Sequence, residues 1–416
     1  MSCVAISKSP PVVVRPSEPA TAMGDINLSS YDKYLVSRPA RVLLVFEQPI
    51  QDPLVTIKRG LSQALVHYYP IAGRLAPGAT AGQVVIKCTS DGVSFVAASS
   101  NCALKDVHDL SDPLLKEKLL LSYPATDGSC RYSDPLMLMQ VTVFSCGGFI
   151  LGITWNHSVA DGVGMGQFMQ AVGELSRGLP SPSVVPVRQG DSFVLLPPPS
   201  LRSLLQHLGS FQPCEMVLLD ITIQKALIQR IKDRYASMNS GQPCSVFEAV
   251  AAVLWRCRTR VIMSDPEALI VLGFPSSARI HAGAKEGYYG NCIVWRLVTT
   301  TAGVVANGAV MDLVEIIHRA KGRLPDESDM NELVQLEDWY NFLRITSWRN
   351  IGLEAPDFGA GRPARVMGHW HPQRDVPKCT ACLPCVHEYN VMSVCVKEEH
   401  ARAFIHELAE LHLECI

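Results

Sequence analysis

The stretch Phe149-Ile-Leu-Gly-Ile-Thr-Trp-Asn-His157-Ser-Val-Ala-Asp161-Gly-Val-Gly-Met-Gly166 leaves few folds open. Residues 136–145 and 149–155 are apolar and rich in β-branched types, and Cys146-Gly147-Gly148 between them is turn chemistry. This pattern predicts a β-hairpin with both strands buried. After Asp161 come small residues, then Phe168, Met169, Val172 and Leu175 at helical spacing. His157 therefore stands where a strand ends and a helix begins. From there a side chain can face a cleft while both flanks are held rigid.

His157 and Asp161 form an H-x-x-x-D pair. The chain holds the same spacing at His108/Asp112 and His371/Asp375. Only the first pair sits at a strand exit and is followed by Gly162. The other two lie in polar, turn-like surroundings and read as coincidence. The plain alternative for the first pair is a buried histidine and an aspartate that N-caps the next helix.

At 416 residues the chain exceeds one ordinary core, so two or three domains are expected. A hydrophobic share of 48% and a charged share of 18% suit a packed globular enzyme. The net charge of −2 excludes a general nucleic-acid footprint, so an anionic ligand needs a local basic patch. The 14 cysteines follow no secretory signal, because Pro10, Pro11 and Pro16 interrupt the N-terminus. No apolar run is long enough to span a membrane. The expectation is a cytoplasmic protein with reduced thiols, a monomer binding small molecules rather than nucleic acid or membrane.

Residues 1–28 are Pro-rich and read as extended, leading into Leu28-Ser-Ser-Tyr31-Asp32. Residues 41–47 predict a strand and 53–68 a helix stopped by Tyr69-Pro70-Ile71-Ala72-Gly73. Residues 84–86 and 93–96 predict strands around an Asp91-Gly92 turn, and 113–120 a short helix. Residues 178–200 are crowded with Pro and Gly, and a linker is placed at 179–212. It separates an N-terminal domain, 1–178, from a C-terminal one, 213–416. In the second half, 215–222, 269–274, 292–296 and 343–348 predict strands. Residues 224–234, 245–256, 305–322, 327–344 and 400–413 predict helices. Ser245 with Glu248 three residues on forms a capping box. Asp357-Phe-Gly359-Ala360-Gly361 predicts a tight turn.

Other chemistries are weaker. Gly162-Val-Gly164-Met-Gly166 follows a strand and opens a helix, as a dinucleotide fingerprint would, but position 167 is Gln and no acidic strand follows. The glycines instead predict close packing of the helix on the sheet. Cys379-x-x-Cys382-x-x-Cys385, with His371 or His387, has zinc-like spacing, although the chain is Cys-rich throughout and no metal is assigned. There is no G-x-S-x-G elbow and no G-x-x-x-x-G-K loop.

Together the motifs resemble the BAHD acyl-CoA-dependent acyltransferases of plants. His157-Ser-Val-Ala-Asp161-Gly162 matches the family's H-x-x-x-D-G, and Asp357-Phe-Gly-Ala-Gly361 matches its D-F-G-W-G apart from Ala360. Tyr69-Pro-Ile-Ala-Gly-Arg74, Ser245-x-Phe-Glu248, Gly287-Tyr-Tyr-Gly-Asn291 and Thr346-Ser347-Trp348 resemble further landmarks, in the family's order. The resemblance implies an α/β, two-domain fold like chloramphenicol acetyltransferase, with the substrate channel between the domains. It also implies a crossover segment near 357–380.

Its chemistry follows in the same way. His157 would deprotonate an acceptor hydroxyl or amine, which attacks the acyl-CoA carbonyl with no acyl-enzyme and no resident cofactor. Trp348 or Thr346 would hydrogen-bond the tetrahedral intermediate or the acceptor. Asp161 would turn away to pair with Arg279 and, with Gly162, support the site, as would Asp357, Gly359 and Gly361. Asn291 and Ser347 are expected to bind substrate. Ser277 stands where the family often has Asp. The pattern leans towards alcohol acceptors of specialised metabolism, with an acetyl, benzoyl or hydroxycinnamoyl donor. Amine or polyamine acceptors remain the alternative. A non-catalytic acyl-CoA-binding member is the rival, kept open by Ala360.

Overall fold

The computed structural model describes residues 4–18, 24–33, 35–107, 110, 112–125, 129–188, 215–323, 336, 338–369, 376–383 and 388–411. The chain divides into two units. The first comprises 1–195 together with 279–292 and 350–370, and the second 196–278, 293–349 and 371–416. Each unit carries its own sheet, with strands on both sides of the division drawn from distant parts of the sequence.

The first unit is built on a sheet in the order Ile6–Lys8, Val93–Ser100, Met137–Val143, Phe149–Asn156, Pro39–Phe46, Arg365–Gly368, with Val12–Val14 also paired to Val93–Ser100. The apolar runs behave as their composition dictates. Met137–Val143 and Phe149–Asn156 form the expected antiparallel hairpin, and every residue of the second strand is buried. Such a strand must be covered on both faces, and continuous apolar sequence is what that requires. Arg365–Gly368 closes one edge by pairing antiparallel with Pro39–Phe46, which is how a segment from late in the chain joins this unit.

Helix Pro53–His67 packs beside helix Gly162–Ser176. Gly60 permits the approach: a Cβ there would lie 2.6 Å from the Val172 carbonyl oxygen. The glycines of Gly162–Ser176 serve close packing, but not on the sheet as expected. A Cβ at Gly164 would meet the Tyr289 carbonyl oxygen, one at Gly166 the Ile351 carbonyl oxygen, and one at Gly173 that of Asp357. Backbone carbonyls cannot yield as side chains do, so only glycine admits segments 279–292 and 350–370 against this helix.

In the second unit the sheet order is Leu219–Ile223, Tyr389–Val394, Lys378–Leu383, Phe342–Ser347, Leu269–Ser277, Ile293–Thr301. Helix Val246–Ile262 is its spine and is buried over nearly its whole length. Both halves of the Ser245–Glu248 capping box are formed. Arg258 is fully buried on this helix and donates Nε–H to the Cys395 carbonyl at 2.7 Å.

Three expectations change. No hairpin forms across Asp91-Gly92: Val84–Lys87 pairs with Arg74–Pro77 and Ile26–Asn27 in a small separate sheet. Gly92, at φ 89°, donates its N–H to the Ala72 carbonyl and sends Val93–Ser100 into the main sheet. The 305–322 helix is two, Ala302–Asn307 and Val310–Gly322, parted at an extended Gly308. Of the 327–344 helix, 327–335 and 337 lie outside the described residues, while Trp339–Asn341 is one 3-10 turn and Phe342–Ser347 a strand. That strand is the one read at 343–348; Phe342, Leu343 and Ile345 are buried, and pairing with Leu269–Ser277 and Lys378–Leu383 overrides the helical spacing at 342–344. No helix among the described residues is long and apolar enough to cross a membrane.

Candidate active site

The turn after Phe149–Asn156 is held atom by atom. The Asn156 side-chain oxygen accepts from Ser158 N at 3.0 Å and Ser158 Oγ at 2.7 Å, bending the chain as Asn does when it caps its own strand. The His157 N–H donates to the Arg38 carbonyl at 2.8 Å, and Trp155 Nε1 donates to the Ala160 carbonyl at 3.0 Å. Asp161, extended at φ −77° and ψ −177°, caps the helix by accepting from Gly164 N at 2.9 Å. Thus both descriptions of Asp161 apply to one carboxylate, because it also pairs with Arg279. Arg279 Nη1 and Nη2 reach its two oxygens at 2.9 and 2.8 Å, and Cys292 N donates to it at 3.1 Å.

The imidazole meets Asn291. His157 Nδ1 lies 3.1 Å from Asn291 Oδ1. The amide is oriented by its other end: Nδ2 donates to the His157 carbonyl at 2.7 Å and to Asp32 Oδ1 at 2.9 Å. Both of those partners are acceptors. Reversing the amide would set oxygen against two oxygens, so Oδ1 must face Nδ1, and Nδ1 must be the protonated nitrogen of neutral imidazole. The lone pair is then on Nε2, for which the described residues provide no hydrogen-bond partner. Burial lowers the His157 pKa, opposed by its own backbone hydrogen bond, the Asp161 and Asp32 charges and the Asn291 contact. The net shift is downward from 6.5, so the ring is a neutral acceptor at neutral pH.

Behind Asn291 lies a group that sequence reasoning did not assign. Asp32, fully buried, forms an ion pair with Arg188 at 3.0 Å, and Arg188 also donates to the Ser158 carbonyl at 3.2 Å. The signal for Arg188 was present: it is the single basic residue between Arg177 and Arg202 in the Pro-rich stretch.

His157, Asp161, Gly162, Arg279 and Asn291 come together in the first unit. Asn291, expected to meet substrate, is fully buried with its polar side-chain atoms engaged by His157 and Asp32. Asp357, Gly359 and Gly361 lie in the same unit on a turn in which Asp357 Oδ1 accepts from Gly359 N at 2.8 Å and Gly361 N at 3.0 Å. That turn meets the helix at Gly173, eleven residues from its start and so about 16 Å along the axis. Phe358 packs edge-on against Phe46. Thr346, Ser347 and Trp348 belong to the second unit, where all three are half-buried and Trp348 N donates to the Ala381 carbonyl at 3.0 Å. In the cysteine cluster, Cys379 is buried and donates to Ser393 Oγ at 3.4 Å. Cys385, His371, His387 and the Cys382 side chain lie outside the described residues.

The family model described as Transferase family matches residues 4–410. Acyl transferase 15 of Oryza sativa subsp. japonica is 43% identical, over 98% of this chain and 99% of its own length. The myricetin 3-O-glucosyl 1,2-rhamnoside 6'-O-caffeoyltransferase AT2 of Crocosmia x crocosmiiflora is 34% identical, over 97% and 98%. Among solved structures, vinorine synthase shares the fold with a TM-score of 0.77 at 19% identity, covering 98% of each chain. The chain belongs to the BAHD family of acyl-CoA-dependent acyltransferases.

Proposed function

We propose that this enzyme transfers an acyl group from acyl-CoA to the hydroxyl of a small specialised-metabolism acceptor, with His157 as the general base. The observation that carries the proposal is the tautomer: Asn291 keeps the His157 proton on Nδ1 and leaves Nε2 as the acceptor. A neutral imidazole with a lowered pKa takes a proton from an incoming hydroxyl at neutral pH. The hydroxyl oxygen then attacks the thioester carbonyl, the tetrahedral intermediate collapses, and CoA leaves as a thiol after receiving the proton. Thiolate leaves readily, so the same imidazolium suffices to return the proton.

Thr346 and Trp348 are assigned as hydrogen-bond donors to the intermediate or acceptor on the strength of the Thr346-Ser-Trp348 landmark. Asp161 supports the site through its bidentate pair with Arg279. The hydroxyl acceptor and a hydroxycinnamoyl-type donor are favoured by the caffeoyltransferase relative, whose name specifies transfer to oxygen.

The test is a mass-spectrometric screen crossing acetyl-, benzoyl- and hydroxycinnamoyl-CoA with pooled alcohols and amines, using wild type and His157→Ala together. An ester product lost in the variant, with the rate down by about three to four decades, is expected. An amide product would move the acceptor class to amines. Near-normal turnover by His157→Ala would remove the proposed base. Measurable acyl-CoA binding without any product would favour a binding-only member.

A further inference from the structure

We propose that Asp32 is a positioning residue of the transfer reaction: by accepting from Asn291 it holds that amide in one orientation and keeps the His157 proton on Nδ1. The inference rests on the reading of His157 as base. It extends the site to residues from the N-terminal segment and from the stretch before residue 189, neither of which touches the imidazole.

Asp32 has no atom to spare. Its Oδ1 accepts from Asn291 Nδ2 at 2.9 Å and Asn291 N at 3.2 Å, and its Oδ2 accepts from Ser29 N at 2.9 Å, Ser29 Oγ at 2.8 Å and Arg188 Nη2 at 3.0 Å. A carboxylate offers about four lone-pair sites, so these donors occupy it completely. It is fully buried, so a water cannot replace a lost partner cheaply. Arg188, itself 7% exposed, supplies the countercharge and fixes the Ser158 carbonyl beside His157.

The function of this charge is selection between two arrangements of equal shape. The Asn291 amide fills the same space whichever way it faces, and sterics cannot choose. An acceptor-only carboxylate at Asp32 requires Nδ2 on its side, and the His157 carbonyl asks for the same. With Oδ1 thereby turned to the ring, Nδ1 must carry the proton. An amide at position 32 could present its own NH2 instead. The His157 carbonyl would then be the one acceptor left to hold the Asn291 amide, and the fraction of amide that turns would offer a donor to Nδ1, which moves the ring proton to Nε2 and removes the base.

The experiment uses the full-length enzyme labelled with 15N-histidine, the His157 resonances being assigned by difference from His157→Ala. Wild type is expected to show Nδ1–H at neutral pH. Asp32→Asn should raise the Nε2–H population and lower kcat about fivefold or more, in proportion to the competent tautomer lost, with the KM for acyl-CoA unchanged. A purely structural role would lower amide exchange protection in the first unit without moving the tautomer. Asn291→Ala provides a second route that leaves the Asp32–Arg188 pair intact, and decides alone if Asp32→Asn does not fold. It too should admit the Nε2–H form, which free neutral imidazole favours. Folded variants that both keep Nδ1–H and wild-type kcat would overturn the proposal while leaving His157 as base. Wild-type His157 found as Nε2–H would overturn it outright. Failure of the base assignment itself is read separately, from turnover by His157→Ala.

Discussion

Removing the Asp161 carboxylate is predicted to destabilise the first unit before it affects chemistry. Asp161 is 2% exposed and takes four hydrogen bonds: Gly164 N at 2.9 Å, Cys292 N at 3.1 Å, and Arg279 Nη1 and Nη2 at 2.9 and 2.8 Å. Breaking a buried ion pair from one side costs about 3–5 kcal/mol. The N-cap component, about 0.5–2 kcal/mol, is contained in that figure because the same oxygen makes both contacts. Arg279 has a side chain 17% exposed and keeps the Gly290 carbonyl at 3.0 Å, which moderates the loss. Asp161→Ala should therefore cost about 3 kcal/mol, roughly a 150-fold shift in the local folding equilibrium. With two units, a single global transition is not the right readout. Amide hydrogen exchange by mass spectrometry is, and protection should fall in peptides covering 157–176 and 279–292. Arg279→Ala should do the same, and the double variant should be no worse than Asp161→Ala, a coupling of about 3 kcal/mol. The reasoning is refuted if Asp161→Ala keeps its exchange protection and yet loses a hundredfold or more in kcat. The carboxylate would then act on the reaction directly.

Three further outcomes are expected. The pH profile of kcat/KM should rise with deprotonation of His157 and level off with a midpoint below 6.5, because burial lowers its pKa; a midpoint above 6.5 contradicts the site's electrostatics. The same shift makes protonation unfavourable in the folded state, so its stability contribution is complete above 6.5 and declines as pH falls towards the lower folded value. Gly164→Ala would set a Cβ 1.8 Å from the Tyr289 carbonyl oxygen and should cost about 1–3 kcal/mol or more, seen as lost soluble yield or lost exchange protection in peptides covering 162–176 and 279–292. Asp357→Ala frees the Gly359 and Gly361 N–H groups on a turn that is partly exposed, so a loss of about 1–2 kcal/mol with kcat little changed is expected. A collapse of kcat at unchanged stability would place Asp357 in the chemistry.

Much of the local architecture was legible. The hairpin 137–156, the helix starting after Asp161 and the Ser245 capping box each depend on residues close in sequence, and they form as read. The misreadings share one cause. The 327–344 helix reading ran on into Phe342–Ser347, the strand read at 343–348, whose two edges are paired by Leu269–Ser277 and Lys378–Leu383 from elsewhere. Likewise Val84–Lys87 and Val93–Ser100 look like partners and are separated by the hydrogen bond of Gly92 to Ala72.

At the site the division has the same physical origin. Sequence alone determined that a histidine stands at a rigid strand exit and that glycines line the helix after it, and it offered a helix cap as one reading of the aspartate four residues on. These are consequences of backbone geometry and short-range hydrogen bonding. Which nitrogen of His157 holds the proton was decided only by tertiary structure. It depends on Asp32, Arg188 and Asn291, which are separated by 156 residues between Asp32 and Arg188 and 134 between His157 and Asn291. Hydrogen-bond complementarity acts over about 3 Å and carries no trace in sequence spacing, so it exists only once the chain has folded.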